Sequence, residues 1–221
     1  MRLTDLMMEN RRNGIEITGP ADIDITGLTA DSRNVQPGFL FAAFDGGQAD
    51  GRAFIPDAIA RGARTILVPR GTPRPKNSKG IAFLESDLAR RDYALLTARY
   101  WGNQPETIAV VTGTNGKSSV ADFTRQLWEI VGLPAASLGT LGLVSPAGAE
   151  SGGLTTPDAA TLNQTLFRLA KEGVDHLAVE ASSHGLDQYR LDGVALSIAA
   201  FTNLSRDHLD YHGSMAAYRA A

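Results

Sequence analysis

The sequence predicts an α/β protein in two parts: an N-terminal α/β domain, then a P-loop-type domain built on a mostly parallel sheet. Three observations carry that reading. Short apolar runs alternate with helical patterns along the whole chain. The alternation restarts after a short linker, "GNQPET" at 102–107. The restart is a strand-like run, "TIAVVTG", that ends in glycines and a Gly-Lys-Ser before a helical pattern.

Composition bounds the function. The chain has 221 residues, 43% of them hydrophobic and 20% charged, enough for two modest domains with real cores. A net charge of −3 gives no sign of a nucleic-acid or anionic-membrane surface. The lack of cysteine removes disulfides, thiolate zinc sites and cysteine nucleophiles, and fits a reducing cytoplasm. No apolar run reaches the roughly 18 residues that a membrane span needs. The first stretch, "MRLTDLMMENRRNG", lacks an apolar signal core and reads as a short amphipathic helix.

In the first part, residues 37–44 ("PGFLFAAF") read as a strand. Residues 50–63 read as a helix with Phe54, Ala58 and Ile59 on one face. Residues 64–69 and 80–86 read as strands around the Pro/Gly-rich loop "RGTPRPKNSKG". Residues 87–101 read as a helix capped by Asp87. This places one domain at 1–88, a connecting helix and linker at 89–105, and a second domain at 106–221. In that second domain the helix "KSSVADFTRQLWEIVG" is expected to turn Val120, Phe123, Leu127, Ile130 and Val131 inward. Another helix covers 161–174, which Pro157 can start. Residues 176–182 and 197–205 are almost wholly apolar, as buried parallel strands are.

Chemistry concentrates after these strands. Backbone N–H groups and the dipole at a helix N-terminus attract phosphate. Lys117 can reach terminal phosphates, and Ser118 can ligate Mg²⁺. The general P-loop has a glycine five residues before the Gly-Lys pair; here that position is Val111, so the loop Gly113-Thr114-Asn115-Gly116-Lys117-Ser118 is a shortened form. The plain alternative is a strand-to-helix turn with an exposed lysine. Glu180 sits near the end of an apolar strand, where a carboxylate is costly unless paired or metal-bound, and it is a candidate Mg²⁺ ligand. Ser182, Ser183 and His184 follow it, but no Gly-x-Ser-x-Gly elbow supports a hydrolase triad. Asp207, His208, Asp210 and His212 crowd one turn, with His208 and His212 spaced i, i+4; a solvated helix start is the alternative there. In a parallel sheet all three clusters fall on one edge. "GLTTPDA" offers two hydroxyls or a simple helix cap. Arg190 offers a fork for a carboxylate or phosphate, or is a surface arginine.

Taken together, "TGTNGKSS", "TTPDA", "EASSHGLDQYRLDGV" and "FTNLSRDHLDYHG" resemble the Mur ligases in order and spacing. They are most similar to the branch that adds the third residue of the peptidoglycan stem. "LTADSRNVQPGFLFAAFDGGQADGRAFIPDAI" resembles that branch's uridine-nucleotide domain. The resemblance implies a cytoplasmic, monomeric, ATP- and Mg²⁺-dependent ligase. Its small-molecule substrates would be UDP-MurNAc-L-Ala-D-Glu and a diamino acid, meso-diaminopimelate before L-lysine, joined through an acyl phosphate. It implies an ATP loop from Gly113 through Ser119, with Lys117 on the transferred phosphoryl group and Mg²⁺ on Ser118, Glu180 and His208. Thr155, Thr156, Ser182, Gln188 and Arg190 would grip the dipeptidyl part, and Ala30, Ser32, Gln48 and Ala49 would line the uridine site. Two positions depart from the pattern: Leu154 replaces a frequent asparagine, and Ser118 replaces a threonine but keeps the hydroxyl. After "YRAA" the family typically continues with a carbamoylated lysine that helps hold a second Mg²⁺. The resemblance therefore implies an N-terminal portion of a longer ligase, with the central domain truncated, the C-terminal domain absent and little catalysis by 221 residues alone. A plain P-loop NTPase or kinase, and a binding-only nucleotide-sugar module, are the rival classes. Folylpolyglutamate synthetases share the loop but are not expected to carry residues 1–88 in this form.

Overall fold

Residues 1–8, 14–45 and 50–221 are described by the computed structural model. They form two units, Met1–Tyr100 and Trp101–Ala221. The chain is mixed α/β, with one mostly parallel sheet in each unit.

In the first unit the strands are β1 (Glu16–Thr18), β2 (Leu28–Thr29), β3 (Leu40–Ala42), β4 (Thr65–Pro69) and β5 (Ala82–Ser86), in the spatial order β1-β5-β4-β3-β2. Neighbours from β2 to β5 pair in parallel, and β1 closes one edge antiparallel to β5. The helices are α1 (Leu3–Leu6), α2 (Ile55–Ala60) and α3 (Ala89–Trp101). Side chains alternate along a strand. Phe41, Ile66, Val68 and Phe83 therefore share one face and pack with Ile55 and Ala58 of α2. Leu40, Leu67 and Leu84 point the other way and are also fully buried. A sheet covered on both faces reads as unbroken apolar runs, which is why these strands were visible in the sequence.

Two local expectations change here. The helix expected over 50–63 begins as a 3₁₀ turn, Gly51–Phe54, capped by Asp50, and Phe54 is exposed rather than inward. Asp87 does not cap α3: its carboxylate receives Arg70 at 3.0 Å, while Ser86 Oγ accepts the Leu88 N–H at 2.9 Å.

In the second unit the strands are β6 (Thr107–Thr112), β7 (Ala135–Gly139), β8 (Gly142–Ser145), β9 (Gly148–Glu150), β10 (His176–Glu180) and β11 (Ile198–Phe201). Their order is β11-β6-β10-β7-β8-β9. The first four in that order are parallel, and β8 and β9 extend the sheet antiparallel. The helices are α4 (Lys117–Ile130), α5 (Ala159–Lys171), α6 (Ser183–Asp187), α7 (Leu209–His212) and α8 (Met215–Ala220). Asp158 caps α5 through the Ala160 and Thr161 N–H groups, so the helix starts after Pro157 and not at it. Leu162, Leu166 and Leu169 of α5 bury against Ile108, Val110, Leu177 and Val179 on one sheet face. The opposite face carries small residues, Ala109, Ala178 and Ser137, and α4 packs across it over β6, β10 and β7. Trp101 packs at a tilt against Phe167 with ring centres 5.4 Å apart, and Trp128 against His176 at 5.2 Å.

The inward face of α4 is not the expected one. Val120, Phe123, Leu127, Ile130 and Val131 are all exposed, Ile130 at 78%. Ala121 is buried instead, with Thr124, Arg125 and Trp128 half-buried beside it. Those positions lie i+3, i+6, i+7 and i+10 from Ser118, on one helical face. Ser118 is bonded to Glu180 of β10, which holds that face of the helix against the sheet and leaves the apolar stripe outside. β11 also departs from the buried strand expected. It forms an edge of the sheet in the described residues, and Ile198 and Phe201 are more than half exposed. Among the described residues no helix is long and apolar enough to cross a membrane.

Candidate functional site

The parallel register places the ends of β6, β10 and β11 on one edge: Glu180 lies beside Val111, and Phe201 beside Thr112. The residues that follow these strands therefore lie on one edge, where the glycine loop meets Glu180 and the Thr202-Asn203 pair after β11.

The glycine loop leaves β6 and enters α4. Gly113 has φ +128°, and a Cβ there would fall 2.2 Å from Thr202 Oγ1, so no larger residue fits. Gly116, at φ +87°, is the left-handed N-cap of α4. The loop is pinned from the β11 side. Thr114 N–H donates to Asn203 O at 2.8 Å, and Asn115 N–H to Asn203 Oδ1 at 3.1 Å. Thr202 Oγ1 donates to Asn115 O at 2.7 Å. The buried Thr114 hydroxyl accepts the Ser205 N–H at 2.9 Å and lies 3.1 Å from Tyr218 Oη. Past Gly116, the N–H groups of Lys117, Ser118 and Ser119 open a helix and have no intrahelical acceptor. Lys117 Nζ donates to Gly113 O at 2.7 Å and Thr114 O at 3.0 Å, which holds the ammonium over the loop.

Glu180 is 2% exposed at the carboxyl end of β10. Its carboxylate accepts Ser118 Oγ at 2.9 Å and the Thr140 N–H at 2.9 Å, with Thr140 Oγ1 at 3.3 Å. Among the described residues no cationic side chain pairs with it. A buried carboxylate held only by neutral donors, next to a hydroxyl, is a hard oxygen donor pair suited to a divalent cation such as Mg²⁺. Gly139, just before Thr140, has no room for a side chain, because a Cβ there would lie 2.0 Å from Glu180 Oε1.

His208 stands in a different group. It occupies the left-handed N-cap of the single-turn α7, with its ring 4.9 Å from His184 and 6.3 Å from Tyr218. His212 Nε2 lies 2.9 Å from Ser183 Oγ. Burial first, then the neighbouring His208 and His212, hold His184 below the ordinary histidine range. Among the described residues no three His, Asp or Glu side chains converge on one metal position.

The remaining residues form a polar girder around the end of β10. Thr156 is fully buried; its hydroxyl donates to Glu180 O at 2.8 Å and accepts the Ser182 N–H at 2.9 Å. Ser182 Oγ caps α6 at Gly185. Arg190 donates to Thr156 O at 2.6 Å and to Gln188 Oε1 at 2.8 Å. Thr155 is half-buried and lies 3.0 Å, hydroxyl to hydroxyl, from Thr140. Beside this loop is a cavity of about 320 Å³, lined by Gly139, Gly152, Leu154, Asp158 and Arg168 among others. In the first unit, Ala30 is exposed after β2 and Ser32 is buried in a 3₁₀ turn capped by Asp31. Gln48 and Ala49 lie outside the described residues. Thr140, Thr202, Asn203 and Tyr218 belong to this site but were not assigned to it from the sequence. Thr202 and Asn203 carried a usable signal, as polar residues directly after an apolar strand.

A mostly parallel sheet whose strand ends gather a shortened glycine loop, a buried glutamate and a Thr-Thr turn defines a P-loop-type α/β protein, and comparison with known proteins names the family. Residues 111–221 match the Mur ligase middle domain, and residues 24–94 match the region described as Mur ligase family, catalytic domain. This chain belongs to the Mur ligase family. It is 50% identical, over 100% of its length and 45% of the relative's, to a UDP-N-acetylmuramoyl-L-alanyl-D-glutamate--2,6-diaminopimelate ligase of Rhizobium meliloti (strain 1021). A solved structure titled as that ligase superposes with a TM-score of 0.84 at 30% identity, covering 100% of this chain and 43% of its own. A MurF ligase from Thermotoga maritima in complex with ADP shares the fold, at TM-score 0.57 and 19% identity over 88% of this chain and 41% of its own. The chain spans under half the length of these relatives.

Proposed function

We propose that this chain carries the nucleotide-binding part of a ligase that uses ATP to join a diamino acid, meso-diaminopimelate, to UDP-MurNAc-L-Ala-D-Glu. The single observation that carries the reading is the Ser118–Glu180 pair, 2.9 Å apart beneath the glycine loop, with the carboxylate buried and paired with no cationic side chain among the described residues. The names of the relatives supply the substrates.

In this reading the free N–H groups of Lys117, Ser118 and Ser119 receive the phosphates of ATP. Lys117 Nζ sits at the mouth of the loop, where it counters charge that develops on the transferred phosphoryl group. Ser118 and Glu180 would hold Mg²⁺, with His208, from the neighbouring histidine group, as the third ligand, and the ion would supply positive charge to the phosphate oxygens. Thr155, Ser182, Gln188 and Arg190 grip the dipeptidyl part of the nucleotide substrate and so present its D-Glu carboxylate for in-line attack. Thr156 serves from beneath, by fixing the Thr155 turn to β10. That carboxylate takes the γ-phosphoryl group, ADP leaves, and the acyl phosphate forms. The amine of the diamino acid then displaces inorganic phosphate and loses a proton, leaving the amide. Ala30, Ser32, Gln48 and Ala49 hold the uridine nucleotide. The domain reading goes with this: 1–88 for the nucleotide sugar, 89–105 as connector, 106–221 for ATP. A cytoplasmic monomer is the form proposed.

Calorimetric titration of the chain with UDP-MurNAc-L-Ala-D-Glu tests the reading. Saturable binding is expected, weakened about tenfold or more in a Ser32→Ala, Arg190→Ala variant. Lys117→Ala should lose ATP while keeping the muramyl nucleotide. A folded chain that binds ATP but not the muramyl nucleotide would point to a plain NTPase instead.

A further inference from the structure

The Gly139-Thr140 turn that ends β7 touches both halves of the site. Thr140 Oγ1 donates to Glu180 Oε2 at 3.3 Å and lies 3.0 Å from Thr155 Oγ1. A hydroxyl has one proton to give. Thr140 gives its proton to the carboxylate, so Thr155 must give its own to Thr140. Ser118 donates to the same Glu180 oxygen from the other side, at 2.9 Å. The result is an ordered chain, Thr155 to Thr140 to Glu180 and Ser118 to Glu180, that spans from the Thr-Thr turn to the glycine loop. The turn has no freedom to sit elsewhere. The Thr140 N–H is bonded to Glu180 Oε1 at 2.9 Å, and Gly139 approaches that oxygen closer than any Cβ allows. Yet Thr140 itself is exposed, so its side chain is not needed to fill the core.

We propose that Thr140 is a positioning residue: its hydroxyl aims the Glu180 carboxylate at the cation and couples cation–nucleotide binding to muramyl-nucleotide binding through Thr155. This rests on the function proposed above and deepens it. A ligand group that donates to Thr155 polarises this chain, so Thr140 donates more firmly to Glu180 and holds it aimed; the cation then binds more tightly, and by linkage the cation tightens the muramyl nucleotide equally.

The experiment is a titration of the wild-type chain, Thr140→Ser and Thr140→Val with Mn²⁺ in the presence of ADP, followed by electron paramagnetic resonance. It is repeated with saturating UDP-MurNAc-L-Ala-D-Glu. Wild type and Thr140→Ser should bind Mn²⁺ alike, and Thr140→Val about tenfold more weakly, the scale of losing an outer partner of a metal-binding carboxylate. The muramyl nucleotide should tighten Mn²⁺ binding about fivefold in wild type and Thr140→Ser, and leave Thr140→Val unchanged. Unaltered Mn²⁺ binding by Thr140→Val overturns the positioning role, and equal tightening in all three overturns the coupling. A wild type that binds Mn²⁺–ADP and the muramyl nucleotide with no mutual effect overturns the coupling while the proposed function stands. A wild type that binds neither overturns both.

Discussion

Glu180 is a charge kept in a place that folding alone would not choose. Its carboxylate is buried among hydroxyl and amide donors, with no cationic side chain paired to it among the described residues. Glu180→Gln removes the buried charge and leaves hydroxyls that can turn to suit an amide. Without divalent cations this variant should be more stable than wild type by about 1 kcal/mol, while cation-dependent nucleotide binding is lost. A melting curve with chelator and a nucleotide titration check the two halves, and a less stable variant would count against the argument. Asp92 is a second buried carboxyl, in the first unit, bonded to Ser86 Oγ. Burial raises its pKa more than the Ser86 bond lowers it. A raised pKa means that the folded state holds a proton the unfolded state has released. The resulting stability is present at acid pH and is lost as pH rises from the ordinary aspartate range through the folded value. The melting temperature of Asp92→Asn minus that of wild type should therefore grow between about pH 4 and pH 7. A difference that shrinks over that range would contradict it.

At the level of elements, α4 shows where sequence reading succeeds and where it stops. Its existence and its start at Lys117 were legible, because strand, glycines, Lys-Ser and helix occur in one order. Its rotation was not. Amphipathic periodicity assumes that the apolar stripe faces the core. Here Ser118 must reach Glu180, and residues in register with it go inward whatever their polarity. β7 was missed for a related reason. "AASLG" has little β preference of its own, and its five residues are strand because neighbours on both sides bury them. Thr140 was hidden with it. The stripe of Phe123, Leu127 and Ile130 and the open edge of β11 leave apolar surface and unpaired backbone exposed. Such surface promotes association. Phe123→Glu with Ile130→Lys should change the melting temperature little, and should lower the sedimentation-measured association of this chain at high concentration. A marked loss of stability would mean that the stripe packs against something in this chain.

Across the whole molecule, each unit encloses its own apolar cluster, one around Ile66 and Phe83, the other around Leu166 and Val179. Separate cores predict separable unfolding. Leu166→Ala should cost about 2–5 kcal/mol in the second unit and lower only its calorimetric transition. Ile66→Ala should do the same to the first. A single transition shifted by either variant would show that the units melt together. The two tryptophans packed against Phe167 and His176 both belong to the second unit, and they are the chain's entire complement of 2. Trp101 ends α3, but the ring partners of both tryptophans lie in the second unit, so tryptophan-selective fluorescence is weighted toward that unit, whereas far-ultraviolet circular dichroism sees both. The chain carries a built-in optical label on its glycine-loop half, and a mismatch between the two signals during unfolding would report which half opens first without any added dye.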